Sequence, residues 1–255
     1  MDQIIIGVDT HKTNHIAVAI NTQGARLGDV KIATTRQGYR DLEAWGAKFG
    51  IIKAFGIEGT GSYGAALSRD LLAQGHTVLD VMRPNRQLRY LHGKSDSIDA
   101  EGAARSVLNG QATALAKMQT GACEMIRHIK IARDSAVKSR SQAMIPLKTL
   151  IINAPAELRD WLDLIKGPIS LIRHIAALRS GKVTTPTASA KAAMRAIARR
   201  WLALDEEIQA HVQELERLVS EKAPGLMNSH GVSTMTAAEM LILIGDNPER
   251  IKSEA

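Results

Sequence analysis

The sequence predicts an α/β domain followed by an all-α, coiled-coil-like region. Three observations carry this. Apolar segments of strand length alternate with helical patterns over about residues 1–110. From about residue 115 the strand signals vanish and helical periodicity takes over. Within that second part Trp201, Leu204, Ile208, His211, Leu215 and Leu218 recur at 3-4-3-4-3 spacing, the seam of a coiled coil with one polar position.

Residues 3–9, QIIIGVD, are β-branched and apolar and read as a buried strand. HIAVAINTQG, 15–24, alternates and then turns at Asn21 and Gly24, which makes it a hairpin partner for the first strand. A third strand falls in 26–34. Residues 36–49 read as a helix with Leu42 and Trp45 on its buried face. IIKAFGIE, 51–58, is another apolar strand and ends on a carboxylate. Gly59, Gly61 and Gly64 mark the turn after it, 65–74 reads as a helix, and HTVLDVM, 76–82, as a further strand. Residues 83–95, RPNRQLRYLHGKS, form a loop with Arg83, Arg86, Arg89 and Lys94 and no acidic residue, and a helix starts near Ser95 or Asp96. A mixed sheet that opens with an antiparallel hairpin and continues with strand–helix units is the RNase H-like order of elements. Residues 1–112 are therefore expected to be an RNase H-like (RuvC-like) domain.

Residues 113–222 form the helical region. Pro146, Pro155, Pro168 and Pro186 punctuate it, and two or three helices packed as an antiparallel hairpin are expected. Segment 127–148 carries Arg127, Lys130, Arg133, Lys138, Arg140 and Lys148 against a single acid, Asp134, whereas 205–222 is mostly acidic. The basic stretch is a candidate nucleic-acid contact. Residues 223–255 place a Ser-, His- and Gly-containing turn before an apolar helix at 235–244 and are expected to be the incomplete start of a further domain.

Composition narrows the function. Aromatic residues make up only 3% of the chain, so the core is aliphatic and a base-stacking platform is not the main means of holding single strands. A formal net charge of +7 and a pI near 9.6 point to a polyanion partner, with nucleic acid ahead of a membrane surface. Cys123 is the one cysteine, which excludes an internal disulfide and a cysteine zinc site, and it reads as a small buried apolar residue. The opening MDQIIIGVDTHK lacks the basic region of a signal peptide, and no apolar run approaches the ~20 residues of a membrane span, so a cytoplasmic protein without a membrane partner is expected.

The chemistry resides in carboxylates. Asp9 ends the first strand and Glu58 ends a later one, while Asp96 and Asp99 stand three residues apart, on one face of a helix. Four such groups around one spot repel one another unless cations hold them. Oxygen-only hard ligands favour Mg²⁺ or Mn²⁺, and two such ions suit phosphodiester chemistry. Each residue also has a plainer role open to it: Asp9 as a turn cap, Glu58 as an acceptor for the glycine turn, Asp96 as a helix N-cap and Asp99 as a complement to the helix dipole. The histidines show no metal-ligand spacing, and His11, two residues from Asp9, is a candidate substrate contact. No GK[ST] follows the glycine cluster, so it is not a Walker loop.

Four motifs in order, GVDTHK (7–12), GIEGTGSYG (56–64), RPNRQLRY (83–90) and KSDSIDAEGAA (94–104), resemble the transposases of insertion-sequence family 110. The resemblance implies an Asp-Glu-Asp-Asp, RuvC-like domain with Asp9, Glu58, Asp96 and Asp99 as its catalytic and metal-binding carboxylates. It implies DNA and a structured guide RNA as partners and a prokaryotic protein associated with the nucleoid when bound to DNA, while the 201–218 seam fits either a homodimer or higher oligomer through the helical region or the inside of an intramolecular hairpin. Lys12, Arg83, Arg86, Arg89, Lys94, Arg127, Lys130, Arg133, Lys138 and Arg140 are the candidate nucleic-acid contacts. Family members use a serine nucleophile further downstream than residue 255. Ser229, Ser233 and Ser253 do not match it, so this chain is expected to be truncated before that domain is complete. The competing readings are a RuvC-type metal-dependent nuclease, a catalytically inactive nucleic-acid-binding protein, and an actin-like ATPase, for which the helical region supplies no second β-rich lobe.

Overall fold

The computed structural model describes residues 2–82, 95–247 and 250. They divide into two compact units, one of residues 1–124 with 243–255 and one of residues 125–242.

The first unit is built on a five-stranded sheet of order β3-β2-β1-β4-β5. Its strands are β1 (Gln3–Thr10), β2 (Asn14–Asn21), β3 (Arg26–Ala33), β4 (Ile51–Glu58) and β5 (Val78–Val81). β1, β2 and β3 pair antiparallel, while β4 and β5 continue the sheet parallel to β1. Lying in the middle and covered on both faces, β1 is apolar without alternation. On one face Ile4, Ile6 and Val8 pack with Tyr39 and Leu42 of α1 (Arg36–Ala47) and Leu67 and Leu71 of α2 (Ala65–Ala73). On the other, Ile5, Val18 and Ile20 meet Ala100 and Ala104 of α3 (Asp96–Leu108).

The closeness of α3 to the sheet depends on two glycines. Gly7 and Gly56 are register partners on β1 and β4. A Cβ on Gly7 would lie 2.0 Å from the Ala100 carbonyl oxygen and 2.3 Å from the Ala104 nitrogen, and one on Gly56 would lie 2.9 Å from the Ala103 carbonyl oxygen. The helix rests on bare backbone through Ala100, Ala103 and Ala104, with Val107 against Gly56.

The last described residues return to this unit. Asp246 accepts from the amides of Gly121 (3.0 Å) and Cys123 (2.9 Å) and so caps the start of α4 (Ala122–Ile152). Asn247 accepts from the Met118 amide and donates to the Ala116 carbonyl, and Arg250 donates to the Leu115 carbonyl. Cys123 is buried, as expected, and its thiol donates to the Gly245 carbonyl.

The second unit holds most of α4, followed by α5 (Ala156–Asp163), α6 (Pro168–Ala176), α7 (Pro186–Lys222), α8 (Pro224–Met227) and most of α9 (Thr234–Ile244). It has more helices than the two or three expected. Pro155, Pro168 and Pro186 each stand at a helix start, where a missing amide hydrogen costs nothing. Pro146 differs and lies inside α4. One backbone hydrogen bond is lost there, but Ala143 and Leu147 on either side are buried in the unit's core and carry the helix through. Of the 201–218 seam, Trp201, Ile208, Leu215 and Leu218 are buried and Leu204 and His211 half-buried within the single chain. No helix among the described residues is long and apolar enough to cross a membrane.

Candidate metal centre

Asp9 and Glu58 each lie two residues beyond one of the paired glycines, on the same side of their strands. That side faces α3. The register that aligns Gly7 with Gly56 therefore brings both strand-end carboxylates towards the helix N-terminus. Ser95 is the N-cap, so Asp96 and Asp99 both fall in the first turn of α3. The result is a cleft of about 470 Å³ lined by Asp9, Glu58, Asp96 and Asp99 together with His11 and Tyr63. Asp99 is buried, Asp9 and Glu58 half-buried, and Asp96 exposed.

The strand ends and the turn are tied together. Thr10 Oγ1 donates to the Glu58 carbonyl (2.9 Å). In the turn that follows, Thr60 is buried and its hydroxyl donates to Asp80 of β5 (2.7 Å). Gln119 Nε2 donates to the Thr60 carbonyl (2.8 Å), and its own amide oxygen accepts from Arg69 (3.0 Å). Gln119 is held at φ 52°, a conformation that persists where the surroundings fix it.

Burial pushes the Asp9 carboxyl up to about 6. The neighbouring His11 opposes that shift, and the charges of Asp99, Glu58 and Asp96 add to it. Desolvation and like charges of this kind favour a cation beside the carboxylates. His11 stands between two of the acids, its Nδ1 3.9 Å from Asp9 Oδ2 and its Nε2 3.9 Å from Asp96 Oδ1. One ligand atom each from Asp9, His11 and Asp96 lie within 4.8 Å of one another. The sequence reading considered His11 as a substrate contact and not as a ligand. The Asp-x-His spacing was the available signal, since on a strand it turns both side chains to one face. Beneath it, the wholly buried His15 accepts the His11 amide at Nδ1 (3.3 Å) and stacks on Tyr39. Burial drives His15 down to about 4, and the charge of His11 lowers it further.

The candidate nucleic-acid contacts divide. Lys12 is exposed, one residue beyond His11 at the cleft. Arg83, Arg86, Arg89 and Lys94 lie outside the described residues. On α4, Lys138 is exposed and Arg127 half-buried, but three other cations are engaged within the helical unit. Lys130 pairs with Asp134 and Glu239, each at 2.6 Å. Arg133 pairs with Asp134 at 2.9 Å. Arg140 pairs with Asp205 and lays its guanidinium over Trp201, 5.2 Å from the ring centroid.

No curated protein matches the chain. A family model does: that of the IS110-type DEDD transposases, described as Transposase, matches residues 6–152, which take in β1 from Ile6 onward, the other four strands, all four carboxylates and α4.

Proposed function

Since the chain belongs to the IS110-type DEDD transposase family, we propose that it acts on the DNA of a mobile element through a divalent metal centre formed by Asp9, Glu58, Asp96 and Asp99. The observation that carries this reading is the convergence of the four carboxylates in one cleft, with Asp9 lifted by burial and by its acidic neighbours. The donor set fits such an ion: hard oxygens suited to Mg²⁺ or Mn²⁺, with the His11 imidazole tilting the preference towards Mn²⁺. Asp9, Glu58, Asp96 and Asp99 would hold the divalent ion, whose chemistry there would be to polarise a phosphodiester and activate the attacking oxygen. The chain's own part is to hold the acids at fixed separations through the Gly7–Gly56 register and the Thr10 and Thr60 hydrogen bonds. Lys12, exposed beside the cleft, is suited to a DNA phosphate.

The N-terminal unit is read as an RNase H-like (RuvC-like) domain. The strand order β3-β2-β1-β4-β5, antiparallel on one side of β1 and parallel on the other, supports that reading. A structured guide RNA is part of the same proposal, on the resemblance of the four motifs to the family. Association of chains through the helical unit belongs to the same proposal, and exposed Ile131, Ile145 and Ile152 of α4 support it. A second reading, a RuvC-type nuclease acting without RNA, is favoured by the completeness of the carboxylate cleft within one unit.

Strand cleavage of element-end DNA, with and without element-derived RNA, tests the proposal. Cleavage should require Mg²⁺ or Mn²⁺ and disappear in Asp9→Asn and Glu58→Gln. Cleavage of a four-way junction without RNA selects the nuclease, and cleavage that survives chelation overturns both readings.

A further inference from the structure

Between residues 164 and 204 the chain has no Asp or Glu. Eight of its 33 Lys and Arg fall in this stretch and none of its 26 acids, so the stretch outweighs the formal excess of +7 of the whole chain. The carboxylate centre does not use it.

The fold gathers the stretch into a hairpin made of α6, the loop 177–185 and the first half of α7. Ile172, Ile175, Met194 and Ala198 form its buried side. Arg195 donates to the Leu178 carbonyl (3.2 Å) and Arg199 Nε to the Ala176 carbonyl (3.1 Å), which fixes the end of α6 against α7. Lys166, Arg173, Arg179, Lys182, Arg199 and Arg200 are exposed. None of these six pairs with a carboxylate among the described residues, in contrast to Lys130, Arg133 and Arg140 of α4. The loop between the helices adds Ser180, Gly181 and Thr184, all small and hydrogen-bonding. Thr185 caps α7 by accepting the Ala188 amide (3.1 Å), so the positive end of a 37-residue helix opens beside the loop.

Uncompensated cations on one element repel each other and lower stability unless an anion meets them. We infer that the α6–α7 hairpin is a docking surface for the phosphate backbone of a nucleic-acid duplex, bound without regard to sequence. Arg, Lys, Ser and Thr are backbone ligands. Trp201, the only Phe, Tyr or Trp between 164 and 204, is buried, so the hairpin itself offers no row of such rings for stacking successive unpaired bases. Ile172 and Ile175 of α6 are buried in the core, and the exposed Ile169 and Val183 are two separate side chains, not the continuous apolar face a membrane surface would need. The proposal relies on the transposase reading only for the kind of partner and does not involve the carboxylates.

The test is fluorescence anisotropy of the full chain, in excess chelator, with a DNA duplex of arbitrary sequence, the matching RNA duplex, the single strand and anionic vesicles, over a range of salt. The triple variant Arg173→Gln, Arg179→Gln, Lys182→Gln should lower the log–log salt slope for a duplex by roughly 2–3 and its affinity at about 0.1 M salt by roughly 100-fold. The DNA and RNA arms identify the duplex. Replacing Arg173 and Arg179 by Lys should restore the slope, which an effect on folding would not. Arg217→Gln, whose guanidinium is paired with Glu214 and Glu221, should leave it unchanged. The excess chelator keeps the metal centre out of the measurement, so failure of the metal reading is distinguishable. An unchanged slope in the triple variant, or losses confined to the single strand or the vesicles, overturns the inference.

Discussion

Gly7 of β1 lies so close to Ala100 of α3 that a single added methyl carbon would stand 2.0 Å from the Ala100 carbonyl oxygen. Backbone cannot retreat as a flexible side chain can, so strand or helix must shift. The shift would be felt two residues on, at Asp9, and at the start of α3, at Asp96 and Asp99. Gly7→Ala should cost about 1–3 kcal/mol in urea unfolding and weaken Mn²⁺ binding by roughly 10-fold, the usual effect of disturbing a ligand's support. Gly61→Ala, with nothing within 4 Å of the added carbon, should change neither.

Two buried groups pull stability in opposite directions over one pH window. His15 takes a proton near 6.5 when unfolded but only near 4 in the fold. It therefore stabilises the fold above 6.5, and that contribution, of order 3 kcal/mol, is lost as pH falls towards 4. In the metal-free site Asp9 has a folded value near 6 against an ordinary 3.8. Its contribution is complete below 3.8 and is lost as pH rises through 6. Between about pH 6.5 and 4 the Asp9→Asn variant should lose more stability than wild type, and His15→Gln less. Urea titrations at both ends of the window, in chelator, measure this, and equal losses in all three proteins would contradict the burial of both groups.

Arg140 should behave as a structural cation. Its guanidinium joins the half-buried Asp205 to the face of Trp201, which belongs to the core of the helical unit. Arg140→Ala should destabilise by about 1–2 kcal/mol, since it leaves Asp205 half-buried without its partner. Duplex affinity should change far less than for the α6–α7 triple variant. A steep loss of affinity without loss of stability would make Arg140 a nucleic-acid contact instead.

The alternation of strands and helices over the first 110 residues was legible because each period is written locally. So were the carboxylate-bearing ends, where Gly-Val-Asp and Gly-Ile-Glu repeat one pattern. What local periodicity does not encode is pairing over distance. Asp246 caps amides some 125 positions away, and no pattern in GDNPER announces that. Segment 127–148 reads as free positive charge, but Lys130 and Arg140 meet Glu239 and Asp205, acids that only the fold brings near. Pro146 reads as a break because propensity is local, whereas the packing of Ala143 and Leu147 that overrides it is not. The acid-free run at 164–204 is written in the sequence, whereas the engagement of the α4 cations that sets it apart is not.

Mn²⁺ calorimetry on the wild-type chain and on Asp99→Asn tests the metal centre most directly. Asp99 is the most buried of the four acids, so its replacement removes a ligand the cleft cannot supply from solvent-exposed groups. The wild type should bind Mn²⁺ and Asp99→Asn should not, while Asp29→Asn, an exposed change on β3, should bind as the wild type does. Undiminished Mn²⁺ binding by Asp99→Asn would contradict the assignment of the four carboxylates.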